Sequence, residues 1–169
     1  MKNYYYDTWI EDGTTHGGLR EVGYRQTVSH GLKRFADVVE GTTLPVLEQG
    51  PITRTQIAKY AGASYDFNPI HHDEEFAKRS LAGGIIAHGM MIMGYLGKCA
   101  TEYLGTGQFA RFSSRNVAMT RPGDTLLVTG RVVKRTPGSR GGTVQIQMTA
   151  HDKASGELRC TGEITVELQ

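Results

Sequence analysis

Asp66 and His71 stand five residues apart in the segment Asp66-Phe-Asn68-Pro69-Ile-His71. A helix would turn side chains at that spacing to different sides, but an Asn-Pro step disfavours helix at the asparagine. Across such a bend a carboxylate and an imidazole can converge on one water or one substrate atom. They are the pair that takes and returns protons near neutral pH. The same residues also have a purely structural use. Asp66 can cap a turn and Asn68 can close an Asx-turn, with His71 left exposed. The spacing alone leaves both readings open.

A second element is Ile86-Ala-His88-Gly89-Met90, at the expected start of a long helix. Amides of a first helical turn lack intrahelical acceptors, and the dipole favours negative charge beside them. Gly89 has no side chain to keep a carbonyl oxygen from its amide. It could polarise a carbonyl such as that of a thioester and stabilise the enolate formed next to it. Alternatively Gly89 permits close packing and His88 caps the helix, and Gly94 and Gly97 read as packing positions.

His71, His72, Asp73 and His88 raise the question of a metal. No His-x-x-x-His or Cys-x-x-Cys spacing is present, and adjacent histidines chelate one ion poorly, so no metal is expected. Met90, Met91 and Met93 read as core. Cys99 and Cys160 read as inert thiols on apolar faces. The basic stretch Lys134-Arg135 to Arg140, with Arg121 and Arg131, is either a solvated edge or a surface for phosphate or acidic protein groups.

The elements that must position these residues are partly legible. Thr53-Arg-Thr-Gln56 has the form of a capping box. Ile57, Tyr60 and Ala61 then follow helical spacing up to a stop at Gly62. Ser64 to His72 reads as irregular loop. Asp73 to Ser80 reads as a short helix, acidic at its start and basic at its end. From His88 to Tyr103 runs the longest helix, with Met90, Met93, Gly94, Gly97 and Ala100 at helical spacing.

The last third changes period. Leu126 to Val133, Val144 to His151 and Leu158 to Leu168 each alternate apolar with polar or small residues, as antiparallel strands covered on one face do. Turns fall at Pro122-Gly123-Asp124, Thr136 to Gly142 and Lys153 to Gly156, and Phe109 to Thr120 reads as a preceding strand. Helices first, a long buried helix, then antiparallel strands indicate an α+β fold with a sheet around one helix.

Composition narrows the function classes. At 169 residues the chain is one domain's length. With 38% hydrophobic residues and a mean hydropathy of -0.36, it offers no membrane span. The Met-Lys-Asn-Tyr-Tyr-Tyr-Asp start lacks a signal peptide's apolar core, so a cytoplasmic protein is expected. A net charge of +2 does not suggest nucleic-acid binding, and two cysteines build no disulfide framework. Glycine is the outlier, at 22 residues.

Three separated segments resemble the MaoC-like, (R)-specific enoyl-CoA hydratase family. They are Tyr60-Ala-Gly-Ala-Ser-Tyr65-Asp66-Phe-Asn68-Pro69-Ile-His71, Ile86-Ala-His88-Gly89-Met90 and Arg121-Pro122-Gly123-Asp124-Thr-Leu126. The resemblance covers about residues 33–169 and leaves 1–32 as an N-terminal extension of unknown role. It implies a hot-dog fold, in which an antiparallel sheet wraps around a long helix. It implies a carbon–oxygen lyase of fatty acid metabolism that adds water reversibly and syn to a trans-2-enoyl thioester, giving the (R)-3-hydroxyacyl thioester. It places the catalytic pair on Asp66 and His71 and the oxyanion amide on Gly89. Asn68 matches the asparagine that shapes the loop, and His88 is expected to line the pocket or shape the loop.

The resemblance implies no cofactor and no metal, and composition implies no membrane or nucleic-acid partner. The substrate is carried on coenzyme A or acyl carrier protein, and the chain forms a homodimer. Alternatives are a non-catalytic acyl-binding subunit of a heterodimeric dehydratase, or a hot-dog thioesterase. One position departs from the family pattern. Tyr65 stands where glycine usually precedes the aspartate. Tyrosine prefers negative φ, so either the loop differs or the ring lines the acyl pocket.

Overall fold

The computed structural model describes residues 4–11, 14–21, 33–105 and 108–169. The chain opens with a hairpin that shows no clear period in the sequence. In it, β1 (Tyr4–Glu11) pairs antiparallel with β2 (Thr14–Glu21). The expected boundary near residue 32 lies outside the described residues.

From Phe35 onward the elements serve the site. A 3-10 turn at Phe35–Asp37 leads to the short β3 (Leu47–Gln49). Helix α1 (Arg54–Ser64), a 3-10 turn at Pro69–His71 and α2 (Glu74–Arg79) follow, then the long α3 (Gly89–Leu104). The chain closes with β4 (Gln108–Asn116), β5 (Leu126–Gly138), β6 (Gly141–Asp152) and β7 (Leu158–Leu168).

Five strands form one sheet in the order β3-β5-β6-β7-β4, every pair antiparallel. The expected alternation is realised: Val144, Ile146, Met148 and Ala150 of β6 are buried while the residues between them are not. Across this face lies α3, burying Met91, Ile92, Leu96, Cys99, Ala100 and Leu104. The helix comes close because β7 has a glycine beneath it. A Cβ on Gly162 would lie 2.7 Å from Leu96 Cδ1 and 3.0 Å from Ser113 O, so any side chain there would displace Leu96. A single antiparallel sheet closed over one long helix is the hot-dog fold.

The structure corrects several expectations. α1 does not stop at Gly62 but runs to Ser64 and is terminated by Tyr65. β4 ends at Asn116, four residues before the expected Thr120, because Val117 N–H and Ala118 N–H both turn to Arg159 O at 2.9 and 3.3 Å. The small-residue stripe on α3 is split. Gly97 packs against Phe112, whereas Gly94 has nothing near it and Met90 is exposed. β3, with only three residues, is too short to show a period.

Candidate active site

The loop between α1 and α2 is built by its own side chains. Thr53 and Gln56 form the expected capping box, Gln56 N donating to Thr53 Oγ1 at 3.1 Å and Thr53 N to Gln56 Oε1 at 2.7 Å. At the other end Tyr65 adopts φ 60° and ψ 24°, the left-handed conformation of a helix C-cap. Among the described residues it is the one non-glycine with positive φ. Tyrosine therefore takes the left-handed backbone shape that glycine adopts more easily. The ring is 86% exposed and meets Phe67 edge-on at 5.5 Å. It is not among the residues that line the cavity described below.

Asp66 and Asn68 then close two successive turns. Asp66 Oδ1 accepts from Asn68 N at 3.2 Å, and Asn68 Oδ1 accepts from Ile70 N at 3.2 Å. With Pro69 fixing φ at the first position of the 3-10 turn, His71 swings back toward Asp66. His71 Nε2 and Asp66 Oδ2 end 3.9 Å apart, the imidazole 8% and the carboxylate 52% exposed.

The tautomer of His71 follows from its partner. Nδ1 lies 2.8 Å from Ile86 O, and a carbonyl only accepts, so Nδ1 carries the proton and Nε2 presents its lone pair to Asp66. Burial pushes the His71 pKa below the ordinary histidine value. The bond to Ile86 O opposes this; His88 adds to it, Asp66 opposes it, and His72 adds a little. His71 is thus neutral at pH 7, the state a base requires.

His88 sits behind this pair, 1% exposed. Its Nε2–H donates to the Asp66 backbone carbonyl at 3.1 Å. Its ring stacks on His71 with centroids 3.7 Å apart, and Tyr60 packs on it with centroids 5.0 Å apart. It occupies the N-cap position of α3 but makes no side-chain cap. Of the two positions expected for His88, the bond to Asp66 O ties it to the loop, and it is not among the residues that line the cavity described below.

Ile86 N donates to Ile70 O at 3.3 Å, and Ala87 N to Thr120 O at 2.8 Å. This draws the start of α3 to the His71 side chain. Here a cavity of about 370 Å³ is lined by His71, Gly89, Ile70, Ile86, Ile92 and Asn116 together with residues 117–120. Its walls are largely apolar, with the His71 ring and the first residue of α3 among them. Asn116 and residues 117–120 were missed in the sequence, which reads there as continuous strand.

Asp66, His71 and His88 bring possible metal-binding atoms within 4.8 Å of one another. Ring lone pairs lie in the ring planes, and the two imidazole planes are inclined by only 26° with centroids 3.7 Å apart. An ion at ~2.1 Å from one nitrogen cannot also lie in the plane of the other. The cluster fits proton transfer better than chelation.

The basic residues resolve by position. Arg135 Nη2 donates to Phe35 O at 2.8 Å and its guanidinium lies 4.2 Å from the Phe35 ring centroid. Lys33 N donates to Leu104 O at 2.9 Å, so this end of the β5–β6 hairpin lies by the C-terminus of α3. That is a helix length, ~24 Å, from Gly89. Arg121 follows the cavity-lining Thr120, its Nη2 donating to Ala82 O at 2.6 Å.

The sequence profile described as MaoC like domain matches residues 39–156. An (R)-specific enoyl-CoA hydratase of Rhodospirillum rubrum is 30% identical over 137 residues, covering 80% of this chain and 91% of that protein. Among solved structures, an R-hydratase from Pseudomonas aeruginosa in its unliganded form superposes with a TM-score of 0.71 at 20% identity, over 80% of this chain and 84% of that one. The ChsH1–ChsH2 complex of Mycobacterium tuberculosis gives a TM-score of 0.69 at 20% identity, over 78% of this chain and 98% of the matched chain. These two show the same fold. The chain belongs to the MaoC-like domain family.

Proposed function

We propose that the protein adds water reversibly to a trans-2-enoyl thioester and forms the (R)-3-hydroxyacyl thioester. The observation that carries this reading is the placement of Asp66 Oδ2 and His71 Nε2, 3.9 Å apart, with His71 also lining the cavity that Gly89 lines. Both atoms accept hydrogen bonds, so one water can donate a proton to each and present its lone pair to substrate. As that oxygen bonds to C3, the pair takes one of its protons. The C2=C3 electrons move onto the thioester oxygen, where the Gly89 amide stabilises the charge. The enolate then collapses and C2 takes a proton from the pair. Because one pair handles both transfers, addition is syn.

The (R) configuration and the thioester class rest on likeness to the Rhodospirillum rubrum hydratase. Coenzyme A or acyl carrier protein is the proposed carrier, and fatty acid metabolism the setting. No helix of the described residues is long and apolar enough to cross a membrane. Cys99 and Cys160 are both free thiols, which suits the cytoplasm.

The test is hydration of crotonyl-CoA by the purified protein and by Asp66→Asn and His71→Ala. Each variant should lose about 10³-fold or more in kcat with circular dichroism unchanged. Wild-type rates in both would end the proposal. The occurrence of this fold in the ChsH1–ChsH2 complex supports a second reading, an acyl-binding subunit that needs a partner. Hydratase activity of the chain by itself decides against it, and release of free thiol would instead indicate a thioesterase.

A further inference from the structure

Asn116 is the last residue of β4, held in the ladder opposite Cys160. Its side chain reaches across to the first residue of α3. A Cβ built on Gly89 would lie 2.3 Å from Asn116 Nδ2 and 3.1 Å from Asn116 Cγ. The carboxamide therefore occupies the space that a side chain at residue 89 would need. Asn116 is also exposed, and among the described residues no hydrogen-bond partner holds its amide. Asn116, Gly89 and His71 all line the same cavity.

An ideal Cβ lies about 2.5 Å from its own amide nitrogen, which puts Asn116 Nδ2 within about 4.8 Å of the Gly89 nitrogen. One oxygen accepting two bonds of about 2.9 Å can bridge nitrogens up to roughly 5.8 Å apart. The two donors are thus close enough to share a single acceptor at the base end of the cavity. We propose that Asn116 is a catalytic residue whose side-chain amide donates a second hydrogen bond to the substrate's thioester oxygen, alongside the Gly89 amide.

This rests on the hydratase reading above and adds a role to it. A lone first-turn amide gives the enolate oxygen one donor. A neutral carboxamide gives a second without introducing a charge or a proton that would compete with the Asp66–His71 pair. It also accounts for glycine at residue 89, since any side chain there would push the carboxamide aside. Removing one such donor costs a rate factor on the order of 10²–10³, felt in the transition state more than in ground-state binding.

The test uses Asn116→Asp, which keeps the shape but loses the donor, and Asn116→Leu, which fills the space without polarity. Both should lower kcat for crotonyl-CoA hydration about 10²-fold while KM moves by less than about threefold. The second readout is the infrared C=O stretch of carbonyl-labelled butyryl-CoA, which binds but has no double bond to hydrate. It should lie at lower frequency on the wild type than on either variant. Wild-type kcat in Asn116→Leu, or an unchanged carbonyl frequency in both variants, overturns the assignment. An inactive wild-type protein would instead remove the hydratase reading, and this role with it.

Discussion

Asp66 divides its oxygens between two tasks. Oδ1 closes the turn through Asn68 N at 3.2 Å, and Oδ2 faces His71. One side chain therefore both closes the turn and faces His71. Asp66→Asn keeps an oxygen that can accept from Asn68, which is why it should abolish turnover yet spare the fold. His88 makes a further claim at this scale. His88→Phe keeps a ring against His71 but loses the bond to Asp66 O, whereas His88→Gln keeps a donor and loses the stack. Each should lower kcat about 10-fold or more, and His88→Phe should leave the imidazole of His71 easier to protonate by removing a charge partner. An NMR titration of His71 and the pH profile of kcat/KM check both.

His71 also sets a pH dependence. Burial holds it below its ordinary value of 6.5, with His88 and His72 adding to the shift and Asp66 and the Ile86 carbonyl opposing it. The acid limb of kcat/KM should accordingly have its midpoint below pH 6.5. For stability, the unfolded chain takes up the proton first as pH falls. Stability held above pH 6.5 is then lost progressively down to the folded-state value. Urea denaturation across that range, with His71→Leu as control, reads the difference. Tyr65 shows why the residue scale was not fully legible. A tyrosine in left-handed conformation is set by the loop around it, not by its own preference.

At the scale of elements, period was the reliable guide. β5, β6 and β7 bury the alternate positions that their sequences display, whereas α3 buries Gly97 and Ala100 of its expected stripe but leaves Met90 and Gly94 exposed. Misreadings cluster where an element ends by tertiary contact. β4 stops at Asn116 because the next amides follow Arg159 O, and no local residue signals that. The missed segment, residues 117–120, is part of the cavity wall, so Asp66 and His71 are more legible in the sequence than the pocket beside them. The close approach of α3 to β7 makes its own prediction. Gly162→Val should force Leu96 off its position and cost about 1–3 kcal/mol, read as a lower urea midpoint with an unchanged slope. An unaltered midpoint would show that the helix can yield.

On the scale of the whole molecule, β3 and β4 are the sheet's two edges. Tyr65, Phe67, Met90, Val117 and Met119 are large apolar residues left exposed, and Val117 and Met119 line the cavity. Exposed apolar side chains together with open strand edges suit pairing of two copies. Light scattering should give twice the 18.5 kDa of one chain, and Met90→Lys should shift that toward a monomer. A monomeric wild type would contradict the pairing. The central claim is that Asp66 and His71 together deliver both parts of one water to one side of an enoyl thioester. Hydration of crotonyl-CoA in deuterated water tests it most directly. The account predicts an (R)-3-hydroxyacyl product with deuterium added at C2 on the same face as the hydroxyl; anti addition, or no hydration by the intact protein, would contradict it.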